Sequence, residues 1–267
     1  MTKFKKVTCI AIFVVALFCI VILLLLFKVP AESIQSTSNL PASLQGKTDF
    51  DIAQFYFNSD DIRGGVYDII KAQEYYEKVI AENPKENNLV WYQSGRIDFI
   101  NGDFDLALDK FATQLAYHGD EIPNVYYMIG LTYGYRARQT NSPEDWKHAE
   151  DNFKKSVELL HQAPWPYVDL AWVYFSEGKY NEMKLLLEIG MNYGSNNPWL
   201  LNMYGLALLN TGDKTMAREY FLFAQELAQE VTVEQWGRSY PGNNPDSWEQ
   251  GLFEFETMIA KNIELTN

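Results

Sequence analysis

Small residues flanked by aromatic or aliphatic ones recur along this chain at a nearly constant interval. Trp91-Tyr92-Gln93-Ser94-Gly95 is the first case, and the run Tyr126 to Tyr133 around Gly130 is the second. Tyr167 to Tyr174 around Ala171 and Leu201 to Leu208 around Gly205 complete the set. Gly95, Gly130, Ala171 and Gly205 are separated by 35, 41 and 34 residues. A second series follows: Ala107, Ala149, Met183 and Ala217, each four residues before a large apolar side chain, Phe111, Phe153, Leu187 and Phe221. Ala72 and Tyr76 extend it backwards. Between the two series lie turn-forming runs such as Asn101-Gly102-Asp103 and Thr211-Gly212-Asp213, and Pro84, Pro123, Pro164 and Pro198 fall between units. Self-similarity at this period marks a repeat architecture.

Each unit reads as helix, short turn, helix. A small residue lets two helices approach closely, and the aromatics beside it fill the groove they make. Glycine inside a helix costs about 1 kcal/mol relative to alanine, so its return at one phase points to a packing requirement. One hairpin cannot bury its apolar face alone, so the units are expected to stack.

The pattern resembles the tetratricopeptide repeat (TPR), whose signature is W-x2-L-G-x2-Y, then an alanine, a phenylalanine and a proline. Tyr126, Ile129, Gly130 and Tyr133 fit its first half, as do Tyr167, Leu170, Ala171 and Tyr174. Ser94, Asp98 and Met183 depart from it. The resemblance covers about residues 53–230 and implies an all-α fold, a TPR-like α-solenoid of helical hairpins, which is expected to follow one N-terminal transmembrane helix read from hydropathy. Four units are clear. A fifth, at 53–86, is degenerate and holds Asp60 where the small residue is expected. Gly130 and Ala149 are 19 residues apart where the other pairs show 12, so both helices of that hairpin are expected to be about one turn longer. Ser142-Pro143-Glu144-Asp145 reads there as an N-cap, a first-turn proline and a capping acid. Beyond residue 230, Trp236 to Pro245 reads as a turn-rich loop, and Trp248, Leu252, Phe255 and Ile259 share one face of a terminal capping helix. The expected organisation is 1–28, cytoplasmic tip and anchor; 29–48, flexible linker; 49–230, repeats; 231–267, loop and capping helix.

The anchor rests on hydropathy. Val7 to Phe27 is 21 residues with one polar member, Thr8. Such a helix spans roughly 30 Å, the thickness of a bilayer's hydrocarbon core. Lys3, Lys5 and Lys6 precede it and Lys28 follows, which places the N-terminus in the cytoplasm and the C-terminal body on the outer, periplasmic or extracellular, side. A cleaved signal peptide is the rival reading, although the run exceeds the usual 7–15 apolar residues. All 35 acidic residues and 18 of the 22 basic ones lie beyond residue 28, giving the body a formal charge of −17. Nucleic acid is therefore not an expected partner, and contact with lipid is expected through residues 7–27 alone.

Chemistry is hard to find. Both cysteines, Cys9 and Cys19, lie in the apolar run, so the body has no disulfide and no cysteine metal site. His118, His148 and His161 form no metal-ligand spacing, and His148 and His161 are expected at solvated helix faces or ends. Asn101, Asp103 and Asp105 alternate like a calcium loop, but no glycine follows at the sixth position and Ala112 stands at the twelfth. No catalytic residue, metal or cofactor is expected, and the chain is not read as an enzyme.

The TPR resemblance implies instead a concave groove lined by the first helix of each unit. The matching positions are Tyr92, Arg96 and Phe99; Asn124, Tyr127, Met128, Leu131 and Tyr135; Trp165, Asp169, Trp172 and Phe175; and Trp199, Asn202, Met203 and Leu206. Aromatic residues and methionine are common partner anchors, and the set contains no lysine for the carboxylate clamp of the family's chaperone-tail binders. The implied function is a membrane-tethered protein-interaction scaffold, an envelope assembly or biogenesis factor holding a peptide or helix segment. The alternatives are a self-associating structural hub and a carbohydrate- or peptide-processing envelope enzyme. Whether the aromatics form binding surface or inter-repeat core stays open at this level.

Overall fold

The structure, a computed structural model, describes residues 40–57, 66–239 and 244–267. The Val7–Phe27 segment and most of the 29–48 linker lie outside these residues. Among the described residues no helix is long and apolar enough to cross a membrane.

The chain divides into two compact units. The first holds four helices, α1 (Asp49–Phe57), α2 (Ile69–Glu82), α3 (Val90–Asn101) and α4 (Phe104–His118). They pair as hairpins α1/α2 and α3/α4, and α2 packs on α3. Their core includes Ile52, Ala53, Tyr56, Phe57, Ala72, Tyr76 and Ile97. Here the expected position of the degenerate repeat is corrected. Its first helix is α1, described over Asp49–Phe57, and Asp60 lies outside the described residues. The buried small residue is Ala53, 19 residues before Ala72, the same interval as Gly130 to Ala149. Phe50 and Phe57 flank it and hold the Tyr76 ring between them, at 5.8 and 6.2 Å.

The second unit runs through α5 (Asn124–Thr140), α6 (Pro143–Leu159), α7 (Trp165–Ser176), α8 (Tyr180–Gly194), α9 (Pro198–Thr211), α10 (Lys214–Ala228), α11 (Val233–Ser239) and α12 (Trp248–Glu264). Hairpins α5/α6, α7/α8 and α9/α10 stack in order, and α12 packs on α10. Each unit is thus a TPR-like stack of helical hairpins.

The two sequence series meet inside the hairpins. A Cβ at Gly95 would come within 2.8 Å of the Phe111 ring, and one at Gly130 within 2.8 Å of Phe153. At Gly205 the approach to Phe221 is 2.5 Å, closer than a real Cβ tolerates. The phenylalanine ring therefore occupies the space a side chain would take, which accounts for glycine at this phase despite its helix penalty. At the hairpin bends Gly102 and Gly212 adopt left-handed backbone, φ 80 and 102°, and close their helices by donating to carbonyls of the last turn. In the lengthened hairpin Asn141 takes this conformation, φ 55°.

That hairpin is longer, but unequally. Its first helix has 17 residues against 12 in α3 and α7, and its second has 17 against 15 in α4, α8 and α10. Ser142 caps α6 by accepting from the Asp145 amide, with Pro143 at the first helical position. Asp145 is not the reciprocal cap expected of it. Its carboxylate takes two hydrogen bonds from Arg136, at 2.7 and 2.9 Å, tying the two helices together.

The turn-rich loop expected from Trp236 is also corrected. Residues 233–239 form α11, and Trp236 is buried against Gly251 of α12. Thr232 and Gln235 cap this helix reciprocally: the Gln235 amide donates to Thr232 Oγ1 and the Thr232 amide to Gln235 Oε1.

Candidate functional site

The second unit brings one group of the sequence-selected residues together. Tyr127, Leu131 and Tyr135 stand at i, i+4 and i+8 of α5 and form a half-buried ladder on one side of that helix. Opposite it, α7 presents Trp165, Asp169 and Trp172. The Tyr127 hydroxyl donates to Asp169 Oδ2 at 2.7 Å and so bridges the two helices. Tyr135 packs on Trp172 with ring centroids 5.7 Å apart. Trp165, at the start of α7, is 45% exposed, which is unusual for so large an apolar side chain. Asn124 is exposed at the start of α5.

The electrostatics of this seam are unusual. Burial raises the Asp169 carboxyl from 3.8 to about 6, and the Tyr127 hydrogen bond pulls it back only in part. Burial, with the Asp169 charge nearby, also pushes the Tyr135 hydroxyl up to about 12, while Arg138 acts in the opposite sense. Burial lowers Arg138 in turn. Sequence reasoning missed Arg138. Twelve residues from Asn124 end at Tyr135, so Arg136 and Arg138 belong to the extra turn of α5, and the 19-residue interval was the signal for them.

Other selected residues are differently placed. Trp172 is only 6% exposed; it abuts Gly134, where a Cβ would come within 2.6 Å of its ring, and meets Trp146 edge-on at 5.1 Å. Trp172 is therefore a wall of the seam and part of the core. Met128 and Phe175 are buried, the latter edge-on to Tyr180 inside its own hairpin.

Trp199, Asn202, Met203 and Leu206 of α9 do not form an open groove. Trp199 stacks on Phe255 of α12, with centroids 4.7 Å apart and planes within 13°. Asn262 of α12 donates to Asn202, and the two are 3% and 1% exposed. Met203 and Leu206 are buried beneath. The terminal helix thus covers α9, as its single apolar face implied.

In the first unit, Tyr92 is buried against Phe111, and its amide donates to Gln114. The Arg96 guanidinium lies over Phe57 at 4.8 Å and Tyr92 at 5.6 Å, and Nη1 donates to Gln93. Phe99 is half-buried beside Phe104. This cluster is a cation–aromatic packing unit whose charge is already engaged.

Of the histidines, His161 is exposed, whereas His148 is half-buried and stacks on Tyr133 at 4.8 Å. Among the described residues no group of three or more His, Cys, Asp or Glu side chains is placed to hold a metal ion.

Residues 200–230 match the tetratricopeptide-repeat family model. They span α9 and α10, the hairpin with the closest glycine–phenylalanine contact. Solved TPR-type structures share the fold. MamA is 20% identical, with a TM-score of 0.53 over 61% of this chain and 90% of its own. MamA residues 41 to the end from Desulfovibrio magneticus are 17% identical, with a TM-score of 0.52 over 67% and 97%. A thermophilic TPR protein of Thermus thermophilus is 17% identical, with a TM-score of 0.51 over 69% and 91%. At these identities the likeness extends to the fold. No curated protein sequence matches the chain.

Proposed function

We propose that this chain is a protein-interaction scaffold that holds a partner segment along the α5–α7 seam of its TPR-like stack. The observation that carries the reading is the half-buried Tyr127–Leu131–Tyr135 ladder beside the exposed Trp165. It offers apolar contact area, a polar centre and one large uncovered aromatic, the residue types that anchor partners. The first-unit cluster is less suited, because Arg96 is spent on Phe57, Tyr92 and Gln93.

The same reading makes the chain membrane-tethered, with Val7 to Phe27 as the anchor and the acidic body on the outer side, in an envelope assembly or biogenesis role. Protease added to intact cells or spheroplasts is then expected to digest the body. Protection of the body until the membrane is broken would overturn the orientation.

The binding claim is tested by Leu131→Asp, which places a charge in the ladder. Partners recovered with the tagged full chain are expected to disappear while the circular dichroism spectrum is unchanged. Unaltered recovery would reject the seam as the binding face.

A second reading, self-association, has its own support. Leu185, Ile189 and Tyr193 are exposed at i, i+4 and i+8 on α8, an uncovered apolar stripe. Multi-angle light scattering across a range of concentrations, with Ile189→Glu as the control, distinguishes a hub from a monomeric scaffold.

A further inference from the structure

We propose that Asp169 is a specificity-determining subsite for a lysine or arginine side chain of the segment held in the α5–α7 seam. The proposal rests on the scaffold reading above and adds what the occupant must carry at one position.

The first observation is the carboxylate's bonding. Asp169 sits half-buried on α7, and Oδ2 accepts from the Tyr127 hydroxyl at 2.7 Å. Among the described residues no lysine, arginine or histidine forms an ion pair with it. A carboxylate withdrawn from water without a cation is unfavourable, so such groups are rare unless something completes them.

The second observation is that the chain builds the same junction elsewhere without a charge. Tyr127 lies three residues before Gly130, and Asn202 three residues before Gly205. Both reach forward to the next helix of the stack: Tyr127 to Asp169 on α7, Asn202 to Asn262 on α12. At the α12 junction a neutral amide pair suffices, closed from solvent. A structural bridge therefore requires no acid at this phase. The bland alternative, that Asp169 only orients Tyr127, leaves the charge unexplained, because an asparagine would accept the same hydrogen bond.

The third observation is the lining. Tyr127 and Tyr135 rise from α5 on one side and Trp165 stands exposed at the start of α7. Tyr127 hydrogen-bonds the carboxylate and Trp165 stands one turn before it on α7, and aromatic side chains so placed suit a cationic head on an aliphatic stem, through cation–π attraction and burial of the methylenes. The occupant is thus a segment with apolar anchors and one basic residue between them.

The test uses the full chain in lipid nanodiscs. Twelve-residue peptides are selected on it from a random phage-displayed library, synthesised with a fluorescent label, and titrated by anisotropy. The selected set is expected to carry Lys or Arg at one register. Asp169→Asn is expected to weaken the basic peptide about tenfold or more, while the same peptide with glutamine at that register binds both proteins alike. Tyr127→Phe, which keeps the carboxylate and removes its hydrogen bond, is expected to retain the basic preference. Peptides that lose binding in Leu131→Asp but show no basic preference, or no response to Asp169→Asn, overturn the subsite and leave the scaffold reading standing. Peptides indifferent to Leu131→Asp, or no selected peptide at all, overturn both.

Discussion

Two junctions of the second unit are built on the same plan and finished differently. At α9–α12 a forward-reaching Asn202 meets Asn262, Trp199 stacks on Phe255, and everything is covered. At α5–α7 a forward-reaching Tyr127 meets Asp169, and Trp165 of the receiving helix, at the Trp199 phase of its own repeat, is left 45% exposed. The first junction ends the stack, where α12 takes the place the next repeat would occupy. The second lies within the stack, already has its next repeat, and still presents apolar and charged groups on one side. Closing an end needs neutral, well-packed partners, because a terminal repeat must cover its own apolar face. A face that exchanges partners keeps side chains whose contacts are incomplete without one.

The largest expected effect is at the closed junction. Phe255→Ala removes a ring that α12 inserts against Trp199 and is expected to cost about 3–4 kcal/mol in chemical denaturation. A loss below about 1 kcal/mol would mean α12 is a loosely attached flap and would erase the contrast. Next is Asn262→Ala, which leaves Asn202 buried without its partner and is expected to cost about 1–3 kcal/mol, whereas replacing both asparagines by leucine is expected to restore much of the loss.

At the open junction the signature is a pH dependence. Burial raises the folded-state value of Asp169 from 3.8 to about 6. The folded chain therefore binds this proton more tightly than the unfolded chain does. The resulting stability is fully present below about pH 4 and is lost as pH rises through about 6. Tyr127 donates to the group; Tyr135, raised by burial, and Arg138, lowered by burial, act near it and do not titrate in that window. Urea midpoints between pH 4 and 7 are expected to show this slope in the wild type and a flatter one in Asp169→Asn. The smallest effect is Trp165→Ala, about 0.5 kcal/mol, because its exposed ring has little packing to lose.

Much of the fold was legible because the repeat is written in volumes. Glycine at 95, 130 and 205 and phenylalanine at 111, 153 and 221 are the two halves of one contact, so their phase alone located the hairpins. The first hairpin was misplaced because its small residue, Ala53, precedes Ala72 by 19 residues, and a search at twelve falls on Asp60. Helix α11 was missed although Thr232 and Gln235 spell a capping box; the glycine and prolines that follow drew attention to turns. The candidate site was legible only as a list of phases. Which phases stay open depends on where α12 lies and on how far α5 is extended. One covers Trp199 and Asn202, and the other adds Arg138 beside Tyr135. Neither follows from a single repeat's pattern.

Site-specific photo-crosslinking tests the central contrast most directly. A benzoylphenylalanine is placed at position 165 or at position 199 of the full chain and irradiated in native membranes. Position 165 is expected to yield a crosslink to another protein that Leu131→Asp abolishes, and position 199 only crosslinks within the chain, to α12. Intermolecular crosslinks of equal strength from both positions, or none from 165, would contradict the account.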